Sequence, residues 1–77
     1  MVTVRLFGTL RLDAKRRSLT VEADTVSEAL ERVAAELGMA TSAIHRAAVF
    51  VNGERAGLWA RLRDGDEIYL LSPGAGG

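Results

Sequence analysis

The sequence predicts an α+β fold: a mixed sheet of four to five strands with one main helix packed on one face. Three observations carry this. Residues 2–7 and 67–71 alternate between apolar and other positions, the period of a strand. Residues 26–37 repeat apolar positions at helical spacing behind a capping sequence. Turn signals at Asn52-Gly53 and Asp64-Gly65-Asp66 divide the second half into short extended pieces.

Each element follows in chain order. Val2, Val4 and Leu6 define one face of the first strand, and Thr3, Arg5 and Phe7 the other. Gly8 permits a turn or bulge, and Leu10-Arg11-Leu12 can continue the strand before Asp13-Ala14-Lys15 turns it back. Residues 18–22 alternate again, with Leu19 and Val21 apolar, which reads as an antiparallel hairpin. In Thr25-x-x-Glu28 the hydroxyl can accept from the Glu28 amide, while the carboxylate reaches back to the Thr25 amide. Val26, Ala29, Leu30, Val33, Ala34 and Leu37 then share a helix face, and Gly38 supplies a left-handed cap.

A short helical turn fits residues 39–45, starting near Thr41. Residues 47–51 read as a short buried strand and 54–58 as a short edge strand. In residues 67–71, Ile68 and Leu70 point one way, Tyr69 and Leu71 the other, and Pro73 ends the strand because it cannot donate to a ladder. The order is ββαβ(β)β. One consistent packing sets the first and last strands side by side and parallel in the sheet centre. A single helix covers one sheet face, so Phe7, Tyr69 and Leu71 are expected on the other, as a partner surface or a second small cluster.

Composition limits the function classes. Seventy-seven residues make one domain with a thin core. A net charge of zero argues against nucleic acid as the main partner. The chain has no cysteine, hence no thiol nucleophile or thiolate ligand, and the single His45 has no paired ligand, so no metal is expected. No apolar run approaches the roughly 18–20 residues of a membrane span, and no signal-peptide pattern opens the chain, so the expectation is a cytoplasmic protein.

Other side chains have plain readings. Lys15-Arg16-Arg17 reads as a solvated hairpin tip, and Asp64 and Asp66 as turn formers. Trp59 is expected over the core beside Leu58 and Leu62, with a partner contact as the alternative. Arg5 and Arg11 are candidates for docking to an acidic partner or are simply solvated charges.

Several segments together resemble one family. They are Val4-Arg5-Leu6-Phe7 with Leu10-Arg11, Val26-Ser27-Glu28-Ala29-Leu30 and Ala48-Val49-Phe50-Val51-Asn52-Gly53. Leu62-Arg63-Asp64-Gly65-Asp66-Glu67-Ile68 and the ending Ser72-Pro73-Gly74-Ala75-Gly76-Gly77 complete the pattern. Along its whole length the chain resembles the ubiquitin-like β-grasp sulfur carriers of the MoaD/ThiS family. The Pro73 position and the Asp64–Glu67 turn look most like the MoaD branch, the small subunit of molybdopterin synthase.

The resemblance implies a β-grasp domain over 1–72 and a flexible Gly-Gly tail over 73–77. It implies that Gly77 is adenylated by an E1-like enzyme of the MoeB/ThiF type using ATP, and then becomes a thiocarboxylate with sulfur delivered by a sulfurtransferase. It implies too that no cofactor is bound and that the carrier is a co-substrate or synthase subunit rather than an enzyme. Pro73, Gly74, Ala75 and Gly76 would form the inserted tail, slender enough for a narrow channel. Phe7, Tyr69, Leu71, Arg5 and Arg11 would form the partner surface. The acceptor implied first is the molybdopterin synthase large subunit. Thiamine thiazole or cysteine synthesis, protein modification and a non-reactive β-grasp binding module are the alternatives.

Overall fold

The computed structural model describes residues 1–72. The elements are β1 (Val2–Phe7), α1 (Thr9–Ala14), β2 (Ser18–Val21), α2 (Val26–Leu37), α3 (Thr41–His45), β3 (Ala48–Val51), β4 (Glu54–Arg55) and β5 (Glu67–Leu71). The five strands form one sheet in the order β2-β1-β5-β3-β4. β1 and β5 are the parallel central pair, with Val4 opposite Ile68 and Leu6 opposite Leu70. The flanking pairs β1–β2, β3–β5 and β3–β4 are antiparallel.

The register fixes what each face carries. Val2, Val4, Leu6, Leu19, Val21, Val49, Ile68 and Leu70 all turn to the buried face. There they meet Val26, Ala29, Leu30, Val33 and Ala34 of α2, together with Leu10 and Ile44. The helix face read from the sequence is therefore the one that packs. Among the described residues the core holds no buried polar or charged residue, so its cohesion is apolar burial and close packing.

The start of α2 differs in one detail from its expected capping box. The Glu28 amide donates to Thr25 Oγ1 at 3.2 Å, as expected, but Glu28 Oε1 accepts from the Asp24 amide at 2.9 Å rather than from Thr25. The loop after β4 supplies further partners for this helix end. The Val26 amide donates to the Ala60 carbonyl at 3.0 Å, and the Ser27 amide to the Leu58 carbonyl at 2.8 Å. These would otherwise be orphan first-turn donors. At the other end Gly38 adopts the left-handed cap, with its amide directed at the Ala34 and Ala35 carbonyls.

Three expectations are corrected. Leu10-Arg11-Leu12 does not extend β1; these residues form the short helix α1. A strand would have put Leu10 and Leu12 on one side, whereas Leu10 is buried and Leu12 is 73% exposed, a helical separation. β1 and β2 still pair antiparallel, but through α1 rather than a tight hairpin, so Lys15-Arg16-Arg17 follow a helix end. The edge strand stops at Arg55 instead of reaching Leu58. Trp59 does not cover the core: it stands 79% exposed, while Leu62 is buried without it. The loop there is held by backbone bonds to α2, which do not require the indole to turn inward.

Candidate functional site

The outer face of the sheet collects an apolar patch. β1 contributes Phe7 and β5 contributes Tyr69 and Leu71, with Phe7 directly opposite Leu71. β3 adds Phe50, opposite Tyr69. The Phe7 and Tyr69 rings lie 5.3 Å apart, tilted by 50°, a favourable aromatic pairing. With Phe50 and Leu71 they line a shallow, open concavity of about 330 Å³. Phe7 and Leu71 are 38% and 47% exposed, and Tyr69 is half-buried.

Charges rim this patch. The Arg55 guanidinium sits 5.7 Å from the centre of the Phe50 ring, within cation–π range. Arg5 lies beside Tyr69 in register and pairs with Glu67 at 3.6 Å. The Tyr69 hydroxyl donates to Glu67 Oε1 at 3.3 Å. Arg11 is not brought to this face. It stands on α1 with Leu12, Lys15, Arg16 and Arg17 around a separate hollow. At the end of β5, Arg46 and Arg55 instead line an open groove of about 700 Å³ together with His45, Leu71 and Ser72. The His45 ring is engaged locally, with Nδ1 2.8 Å from the Thr41 carbonyl.

Sequence reasoning left Phe50 and Ser72 out of the site. Phe50 was hidden because Ala48-Val49-Phe50-Val51 is apolar throughout, so alternation does not show. Its place opposite Tyr69 puts it outward while Val49 turns in. Ser72 closes the described chain at the patch edge. Its Oγ lies 2.8 Å from Thr9 Oγ1, 3.0 Å from the Leu10 amide and 3.4 Å from the Phe7 carbonyl. Pro73, Gly74, Ala75, Gly76 and Gly77 lie outside the described residues.

The opposite end of the sheet is built for rigidity. Asn52 Nδ2 donates to Asp66 Oδ1 at 3.0 Å, and Asn52 Oδ1 accepts from the Glu67 amide at 3.0 Å. Asp66 Oδ2 accepts from the Arg63 amide at 2.8 Å. These bonds stabilise the ionised carboxylate and hold Asp66 below the usual carboxylate range, the Arg63 amide being the larger cause. Asp66 Oδ1 thus ties the two turns together, while Oδ2 closes its own turn on Arg63. Among the described residues no helix is long and apolar enough to cross a membrane.

Fold and face together define a ubiquitin-like β-grasp domain with an outward apolar patch beside the end of its last strand. The ThiS family model matches residues 4–77, and the chain belongs to the ThiS family, the ThiS/MoaD group of ubiquitin-like sulfur carriers. No curated protein matches the chain significantly. Among solved structures, the chain is similar to small archaeal modifier protein 1 from Methanosarcina acetivorans, at 26% identity and a TM-score of 0.86, covering 99% of this chain and 95% of that one. It is similar to a chain of the BexX/CysO complex of Amycolatopsis orientalis, at 27% identity and a TM-score of 0.83, with full coverage of both. It is also similar to a chain in the complex of subunits 1 and 2 of the molybdopterin-converting factor from Helicobacter pylori. That match has 29% identity and a TM-score of 0.66, and covers 99% of this chain and 97% of that one.

Proposed function

We propose that the chain carries sulfur on the carboxyl group of Gly77. An E1-like enzyme binds it by the Phe7, Phe50, Tyr69 and Leu71 face and receives residues 73–77 in its active site. A Gly77 carboxylate oxygen attacks the α-phosphorus of ATP, and pyrophosphate leaves. The terminal sulfur of a persulfide then attacks the carbonyl carbon, and AMP leaves. A second thiolate cleaves the sulfur–sulfur bond, giving a thiocarboxylate on the carrier and a disulfide on the donor. A carboxylate at neutral pH is a poor electrophile, and adenylation supplies the leaving group it lacks. The carrier contributes the reacting group and the docking face, and its partners contribute the charge stabilisation.

The observation that carries this reading is the family match, which runs through Gly76-Gly77 on a chain whose apolar face adjoins the strand leading to them. Five residues span at most about 17 Å, so docking and reaction are coupled within one partner. Gly77→Ala keeps the carboxylate but adds a methyl group at the reacting centre. Its thiocarboxylate yield is expected to fall by about a hundredfold or more with unchanged thermal unfolding. Thiolation of Gly77→Ala at the wild-type rate would refute the threaded-tail reading.

For the acceptor we infer the precursor of molybdopterin, with this chain as the synthase small subunit. Pro73, the Asp64–Glu67 turn and the similarity to the Helicobacter pylori complex support it. A second reading, attachment to lysines of other proteins, is favoured by the similarity to small archaeal modifier protein 1. Transfer of sulfur from the loaded carrier to a molybdopterin precursor in the presence of a synthase large subunit supports the first. Carrier–lysine conjugates without that transfer support the second.

A further inference from the structure

At the β1–α1 corner, the backbone closes over Ser72. Gly8 has φ 69° and ψ −148°, a region essentially reserved to glycine. A Cβ on Gly8 would stand 2.8 Å from Ser72 Oγ and 3.2 Å from the Ser72 carbonyl oxygen, closer than side chains tolerate. Gly8 also occupies the N-cap position of α1, where it offers no side-chain acceptor. Ser72, far away in sequence, fills that role: its Oγ accepts from the Leu10 amide at 3.0 Å. A hydroxyl has one donor and two acceptor sites. All three are used when Ser72 Oγ also accepts from Thr9 Oγ1 at 2.8 Å and donates to the Phe7 carbonyl at 3.4 Å. The residue that follows is Pro73, which confines Ser72 to extended backbone.

We propose that Ser72, held by Phe7, Thr9 and Leu10 against Gly8, is a positioning residue for the reaction at Gly77. The assignment rests on the carrier reading above. The clamp lies immediately before the last five residues and at the edge of the apolar patch, since Phe7 belongs to both and the patch residue Leu71 directly precedes Ser72. It therefore fixes the point from which the tail starts relative to the docked face. Without the clamp the face still binds, but Ser72 itself must also be placed before the carboxylate meets ATP. That loss falls on turnover rather than on binding.

The test is ATP–pyrophosphate exchange by an E1-like adenylating enzyme with the carrier varied in concentration. Ser72→Ala is expected to lower kcat about five- to tenfold, the effect of one or two lost hydrogen bonds. KM should stay within about twofold, because the docking face is untouched. Ser72→Thr keeps the hydroxyl and is expected to restore kcat. Thr9→Val leaves Ser72 in place, removes one partner and should give a smaller fall. It also keeps the question answerable if Ser72→Ala fails to fold. A clamp that only stabilised the fold would lower the unfolding temperature and leave kcat unchanged well below it. Wild-type kcat in Ser72→Ala, or a loss confined to KM, would overturn the assignment alone. A wild-type chain that supports no exchange would overturn the carrier reading, and this assignment with it.

Discussion

Gly8 is the residue on which the corner beneath the site depends. Its positive φ and its distance from Ser72 leave no room for a side chain. Gly8→Ala is expected to destabilise the fold by about 1–3 kcal/mol through backbone strain and displacement of Ser72. Urea denaturation measures this, and an unchanged midpoint would show that the corner relaxes freely. In the sequence Gly8 stands out only as a glycine after a strand. Ser72 gives no local signal, because Phe7, Thr9 and Leu10 are 62–65 positions away. Asn52, by contrast, was legible as a turn residue, and the structure adds that its side-chain amide ties that turn to Asp66 and the Glu67 amide.

At the scale of elements, α2 and the strands β1 and β5 were legible because burial on one face imposes a clean period. Leu30 and Val33 against Glu31 and Arg32 leave one helix orientation, and Ile68 and Leu70 against Tyr69 leave one strand orientation. α1 was not legible. Thr9-Leu10-Arg11-Leu12 alternates like a strand, whereas the helix buries Leu10, exposes Leu12 and takes its cap acceptor from the distant Ser72. The two turns at the far end of the sheet carry a pH dependence. The Asp66 carboxylate is held below its unfolded value by the Arg63 amide and the Asn52 side chain. Its contribution is fully present above the ordinary carboxylate range and is lost as pH falls through the depressed value. Urea midpoints at neutral and strongly acid pH should therefore differ less for Asp66→Asn than for the wild type. An equal difference in both proteins would assign the acid sensitivity elsewhere.

Across the whole molecule, one sheet face makes the core and the other carries the outward apolar patch. The central parallel pair β1–β5 links them, because Leu6 and Leu70 turn inward while Phe7, Tyr69 and Leu71 turn outward on the same strands. The proposed docking through this patch can thus be weakened without disturbing the core. Leu71→Asp is expected to weaken association with an E1-like partner by about tenfold or more with little change in thermal unfolding. Tyr69→Asp should act in the same direction with a somewhat larger effect on the fold, since its ring is half-buried against Phe7. Undiminished binding of Leu71→Asp in titration calorimetry would remove the patch from the docking account.

The measurement that bears most directly on the carrier account is the intact mass of the chain after incubation with an E1-like adenylating enzyme, ATP and a persulfide donor. The account predicts a mass increase equal to the exchange of one oxygen for one sulfur, located at Gly77 and lost on mild hydrolysis. An unchanged mass, with an enzyme that loads another member of the ThiS family under the same conditions, would contradict it.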